Sequence, residues 1–157
     1  MANSPASGKT PRRIILMGRS ESGKTTLLQA MHNEELEYKK TQSIITYDDA
    51  IDTPGEYIDQ SGLWRACIIA SCDADIVVLV HAATNDMSRL PLAFNMTFAK
   101  PTIGVITKAD DPNMDVSTAR NFLEMSGAQH IVVTSAYTGR GVKELMDLIE
   151  NLDLSDY

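Results

Sequence analysis

The stretch Gly18-Arg19-Ser20-Glu21-Ser22-Gly23-Lys24-Thr25 lies between the apolar run Arg13-Ile14-Ile15-Leu16-Met17 and the helix-like Thr26-Leu27-Leu28-Gln29-Ala30-Met31. This is the strand, G-x-x-x-x-G-K-[ST], helix pattern in which backbone N–H groups and a helix N-terminus surround a di- or triphosphate. Gly18 and Gly23 let the backbone turn sharply and approach the phosphates. Lys24 supplies a point charge to the β/γ oxygens, and Thr25 a hydroxyl to Mg²⁺. Ser20, Glu21, Ser22 and Thr26 complete the set of candidate phosphate contacts. Upstream, Ser7-Gly8-Lys9-Thr10 also reads G-K-T, but Asn3 stands where the first glycine should be and no strand precedes it. That second match is treated as chance.

The 157 residues suit one domain, and 43% apolar content is enough for an ordinary core. A net charge of −7 argues against an electrostatic nucleic-acid binder, which needs a basic face. Cys67 and Cys72 are too far apart for a C-x-x-C pair and read as reduced thiols of a cytosolic protein. No apolar run reaches transmembrane length, so no membrane insertion is expected. The start, residues 1–11, lacks a secretory apolar core and is expected to be a flexible arm, leaving 12–157 as the folded domain.

From residue 12 onward, short β-branched runs alternate with helix-length amphipathic segments, the mark of βα units and a mainly parallel sheet with helices on both faces. Strands are expected near 13–17, 43–47, a brief one ending at Asp52, then 75–81, 101–107 and 130–134. Helices are expected near 24–33, 61–72, 88–98, 115–126 and 141–152. Asp115 is placed as an N-cap, Gly127 just past a helix end, and Ser88 with Pro91 in a first helical turn. Right-handed crossovers then put the nucleotide at the carboxyl ends of the strands.

Four further stretches fall at that edge. Asp52-Thr53-Pro54-Gly55 follows a short strand; its carboxylate can hold Mg²⁺, and Gly55 can offer an N–H to a γ-phosphate. Alone, D-T-P-G is a common turn; in phase with the phosphate loop it reads as a switch. Thr41, within the polar connection Tyr38-Lys39-Lys40-Thr41-Gln42, offers a second hydroxyl to the metal, although a threonine entering a strand needs no function. Thr107-Lys108-Ala109-Asp110 selects the base. The Asp110 carboxylate accepts two N–H bonds from a guanine edge, whereas adenine presents an acceptor where one donor should be. Thr134-Ser135-Ala136 can touch the guanine carbonyl through its backbone, and Gly139-Arg140-Gly141 turns the chain into the last helix.

On these residues the chain resembles the small GTPases of the translation-factor-like superclass, and most of all the EutP/PduV family of ethanolamine- and propanediol-utilisation proteins. The resemblance covers about residues 12–152. Its more particular marks are Arg19-Ser20-Glu21-Ser22, Tyr38-Lys39-Lys40-Thr41-Gln42, Ile51-Asp52-Thr53-Pro54-Gly55-Glu56-Tyr57 and Cys72-Asp73-Ala74-Asp75-Ile76. Thr41 and Asp52 are only eleven positions apart, and this shortening of strands 2 and 3 is similar to the same family. The resemblance implies a P-loop NTPase of the Ras-like type. It implies GTP/GDP and Mg²⁺ as cofactors, and slow hydrolysis of GTP to GDP and phosphate. Lys24, Thr41, Gly55 and Glu56 would stand at the reacting phosphate. Thr25, Thr41 and Asp52 would hold the metal, and Thr107, Lys108, Asp110, Ser135 and Ala136 would frame the guanine. It further implies a bacterial cytoplasmic protein at a metabolic microcompartment, with a shell or enzyme protein as partner.

Three departures from the general GTPase pattern bear on activity. Thr107 replaces the usual Asn, and the tie from the base loop to the phosphate loop is expected to be lost with the amide. Glu56 stands where Ras-like proteins place a water-orienting glutamine. At about 4 Å from a phosphate charge its carboxylate meets roughly 4 kcal/mol of repulsion at effective ε 20, so it is expected to point away or to act as a base only with a raised pKa. Asp48 and Asp49 are read as a turn. His32, His81 and His130 are given no chemistry, and Leu63, Trp64, Cys67, Ile68 and Ile69 are expected to pack a helix on the sheet. Two other functions stay open: a small-molecule acyl kinase using the same phosphate loop, and a non-hydrolysing nucleotide-bound scaffold.

Overall fold

The computed structural model describes residues 11–157, so the arm expected over 1–11 lies, apart from Pro11, outside the described residues. Six strands form one sheet in the order β2-β3-β1-β4-β5-β6. They are β1 (Ile14–Met17), β2 (Ile45–Thr46), β3 (Ala50–Asp52), β4 (Ile76–Ala82), β5 (Thr102–Thr107) and β6 (His130–Val133). All neighbours pair in parallel except β2 with β3. That one antiparallel pair follows from a two-residue turn at Asp48-Asp49, closed by Tyr47 N–H to the Ala50 carbonyl at 2.7 Å. The two short strands are those the sequence predicts.

The central strands are apolar on both faces because helices cover both. On one side α1 (Lys24–Met31) and α5 (Val142–Asn151) bury Leu27, Leu28, Leu145 and Ile149 against Ile14, Leu16, Val78 and Val105. On the other, α3 (Trp64–Ser71) and α4 (Val116–Met125) bury Cys67, Ala119 and Leu123 against Ile15, Met17, Val77 and Leu79. This is the doubly covered arrangement that parallel strands require. Asp115 caps α4, accepting the Thr118 N–H at 3.0 Å, and Gly127 follows that helix at φ +89°, both as expected. Arg12 donates to the Ile149 and Leu152 carbonyls, satisfying the end of α5 and anchoring the chain as it enters β1.

Two expectations need correction. The segment 88–98 is not an α-helix. Ser88 Oγ accepts from Leu90 N–H in a local turn, Pro91 withholds an N–H, and only a 3-10 turn at Phe94–Thr97 forms. Its N–H groups go elsewhere: Ala93 and Asn95 donate to the Met125 and Ser126 carbonyls at the end of α4. Burying Phe94 and Phe98, 4.8 Å apart at their ring centroids, decides this path. The helix expected over 61–72 begins with a 3-10 turn and becomes α-helical only at Trp64. Cys67, Trp64 and Ile68 pack inward, whereas Leu63 and Ile69 face solvent. Just before it, a one-turn helix α2 (Glu56–Asp59) forms in a segment for which the sequence predicts no helix.

Candidate functional site

The carboxyl ends of β1, β3, β5 and β6 open into a cavity of about 420 Å³ lined by both ends of the sequence pattern. Phosphate-loop residues Ser20, Glu21, Gly23, Lys24, Thr25 and Thr26 form one wall, and Thr107, Lys108, Asp110, Thr134 and Ala136 the other. Tyr38, Lys39, Lys40, Thr41 and Gly55 close the rim. Gly18, Ser22, Asp52, Glu56 and Ser135 do not line it themselves but each bonds or packs against a residue that does.

At the phosphate end, the left-handed φ of +92° at Gly23 starts α1 without a side-chain cap. The first N–H groups of the helix therefore remain available to an anion. Lys24 is buried, and its ammonium is held by the Gly18 carbonyl at 2.8 Å, the Arg19 carbonyl at 2.9 Å and Ser22 Oγ at 3.3 Å. Burial pushes its pKa down to about 8, with the Asp52 and Asp59 carboxylates opposing the shift. A Cβ on Gly18 would lie 2.4 Å from the Val80 carbonyl oxygen, so only glycine lets the loop leave β1 against β4.

Thr25, Thr41 and Asp52 converge from three separate elements. Thr25 Oγ1 lies 2.8 Å from Thr41 Oγ1 and donates to Asp52 Oδ2 at 2.7 Å, with Thr41 Oγ1 3.2 Å from the same oxygen. Asp52 is buried, and its Oδ1 has no hydrogen-bond partner. An orphaned buried carboxylate oxygen beside two hydroxyls is a hard-oxygen donor set, the kind Mg²⁺ takes. These oxygens could hold a divalent cation.

Gly55 approaches the phosphate loop so closely that a Cβ would fall 2.1 Å from the Ser20 nitrogen. Glu56, the next residue, turns its carboxylate to Lys40 Nζ at 2.7 Å, and that contact raises the Lys40 pKa. Arg19, to which the sequence assigned no role, bonds Asp59 on α2 and Asn85 after β4. These pairings join segments far apart in sequence and leave no local signal.

At the base end, Ser135 Oγ donates to Asp110 Oδ1 at 2.8 Å and itself accepts the Thr138 N–H at 3.2 Å. Ser135 thus orients the carboxylate from beneath rather than lining the cavity. Lys108, in the left-handed region at φ +60°, reaches the Glu21 carbonyl at 2.7 Å. Thr107 corrects an expectation: its hydroxyl donates to the buried Ser22 carbonyl, so the base loop remains tied to the phosphate loop. Tyr137, 75% exposed beside Ala136, is a cavity residue that the sequence reading missed.

Strand, glycine loop, helix N-terminus and a sheet with one antiparallel edge define a P-loop NTPase of the GTPase type. The solved structure of a bacterial selenocysteine-specific elongation factor, EF-Sec, superposes with a TM-score of 0.64 at 23% identity, over 90% of this chain and 28% of that one. The family model for ethanolamine utilisation - propanediol utilisation, PduV-EutP, matches residues 11–151, and the chain belongs to that family. It is 40% identical to the propanediol utilization protein PduV of Citrobacter freundii, over 85% of this chain and 90% of that protein. It is 33% identical to the probable acetate kinase EutP of Escherichia coli K12, over 90% and 91%. Translation initiation factor IF-2 of a Thermotoga species is 32% identical over 88% of this chain, but the match spans only 23% of that factor.

Proposed function

We propose that the protein is a Mg²⁺-dependent, guanine-nucleotide-binding protein that hydrolyses GTP slowly, in the service of ethanolamine or propanediol utilisation in the bacterial cytoplasm. The observation that carries this reading is one cavity with the Thr25-Thr41-Asp52 oxygens behind its phosphate wall and the Ser135-oriented Asp110 carboxylate at the other end. Lys24 and the N–H groups of α1 bind the β- and γ-phosphates. Thr25, Thr41 and Asp52 would hold Mg²⁺, which neutralises phosphate charge and orients the terminal group. Gly55 offers its N–H toward the same end, and Glu56, held by Lys40, leaves positioning and charge neutralisation as the sources of rate. Asp110 accepts the guanine N–H pair, with Lys108 packing over the ring.

A second reading comes from the EutP relatives, which are named probable acetate kinases. There the γ-phosphoryl breaks from its bridging oxygen and bonds a carboxylate oxygen of a small acid, leaving a nucleoside diphosphate and an acyl phosphate. The third, a nucleotide-bound scaffold at a microcompartment, requires binding without turnover. Titration of purified protein with GTP and ATP in Mg²⁺, followed by phosphate and acyl-phosphate release with and without acetate, separates the three. GTP-selective binding with acetate-independent phosphate release is expected. Equal affinity for ATP and GTP, or undiminished binding in Lys24→Ala, would remove the reading. Acyl phosphate formed only with acetate favours the kinase, and stoichiometric binding without product favours the scaffold.

A further inference from the structure

Lys40 and Glu56 make an ion pair of 2.7 Å between the segment that leads into β2 and the first residue of α2. Each partner is one residue from a group that reaches the phosphate wall. Thr41 follows Lys40 and lies 2.8 Å from Thr25 through its hydroxyl. Gly55 precedes Glu56 and sits against the Ser20 backbone with no room for a Cβ. The neighbouring Lys39 pairs instead with Glu37 within its own loop, at 3.7 Å. Lys40–Glu56 is therefore the one ion pair among the described residues that joins the two rim segments.

We propose that Lys40 is a specificity-determining positioning residue, which cancels the Glu56 charge at the cavity rim and so lets the site prefer a nucleoside triphosphate over a diphosphate. The proposal rests on the nucleotide-binding reading above. A diphosphate is held by Lys24 and the start of α1, deep in the cavity. Lys40, Thr41 and Gly55 line the same cavity at its rim, where a third phosphate extending past Lys24 would arrive. An unpaired Glu56 carboxylate there repels that phosphate, whereas the pair presents no net charge. The same pair draws the Thr41 and Gly55 segments together, which places both beside the terminal phosphate.

The test is calorimetric titration of wild type, Lys40→Met, Glu56→Gln and the double variant with GDP and with guanosine 5′-(β,γ-imido)triphosphate, in Mg²⁺. Both side chains are partly exposed, so the variants are expected to fold, and GDP affinity reports that each has. Lys40→Met should weaken the triphosphate analogue about 5- to 10-fold at low salt and leave GDP within about 2-fold, the difference shrinking at high salt. Adding Glu56→Gln to Lys40→Met should restore triphosphate affinity, because the repelling charge is gone. Equal weakening of both nucleotides, no change in either, or a double variant as weak as Lys40→Met would overturn the inference while leaving the nucleotide-binding reading intact. A wild type that binds neither guanine nucleotide would overturn that reading, and this inference with it.

Discussion

Thr107 offers the sharpest test of how the base loop and phosphate loop are held together. Its side chain is buried at the end of β5, and its hydroxyl donates to the Ser22 carbonyl within the phosphate loop. Thr107→Val keeps the shape and removes only the donor, so the Ser22 carbonyl loses a partner in a place water does not reach. Leaving a buried polar group unpaired costs about 1–3 kcal/mol. A central value of about 2 kcal/mol corresponds to a fall of about 4–8 °C in Tm for a chain of this size. Because Ser22 and Gly23 carry the backbone that faces the phosphates, GDP should also dissociate faster. Thr107→Ser, which keeps the hydroxyl, should lie close to wild type in both readouts. Differential scanning calorimetry and release of a fluorescent GDP analogue measure the two effects. A Thr107→Val protein with unchanged Tm and unchanged release would refute the claim that this hydroxyl replaces the usual amide tie.

The remaining predictions concern the metal group, the rim and a buried imidazole. Asp52→Asn should lower GTP affinity at least about 10-fold in Mg²⁺ and leave affinity in EDTA nearly unchanged, as followed by fluorescent-nucleotide titration, since removing the charge weakens the hard-oxygen donor set. Gly55→Ala forces a Cβ into the Ser20 backbone and should reduce triphosphate affinity more than diphosphate affinity in the same titration. His81 is buried against Phe122, between the Ala82 and Met87 carbonyls, and burial lowers its pKa from 6.5 despite those two hydrogen bonds. The unfolded chain then binds its proton more readily than the folded one, so stability falls as pH drops through 6.5 toward the lowered folded value. Tm measured from pH 7.5 to 5 should decline less steeply in His81→Gln than in wild type; parallel curves would exclude His81 as the cause.

Much of the candidate site's layout was legible because its sequence pattern is local. The loop from Gly18 to Thr25 needs only a strand before it, a helix after it and glycine at two points, all of which are sequence-adjacent properties. The order of the six strands and of α1, α3, α4 and α5 was legible for the same reason, as were the Asp115 cap and the Asp48-Asp49 turn. The segment 88–98 misled because Ser88 and Pro91 have the look of a helix start, while the chain instead gives its backbone N–H groups to the end of α4 and its Phe94 and Phe98 rings to the core.

What the sequence by itself determined is the class of fold, the glycine loop from Gly18 to Thr25 between strand and helix, and the likeness of Thr107-Lys108-Ala109-Asp110 to a guanine reader. What the tertiary structure alone decided is how those parts act on one another. It closed Thr25, Thr41 and Asp52 into one oxygen group with an orphaned Oδ1. It restored through the Thr107 hydroxyl a tie that the residue change seemed to remove, and it joined Lys40 to Glu56 across the rim. Each of these is a contact between residues brought together only by sheet order and crossovers. Hydrogen bonds and ion pairs depend on distances of a few ångströms, and separation along the chain carries no information about them.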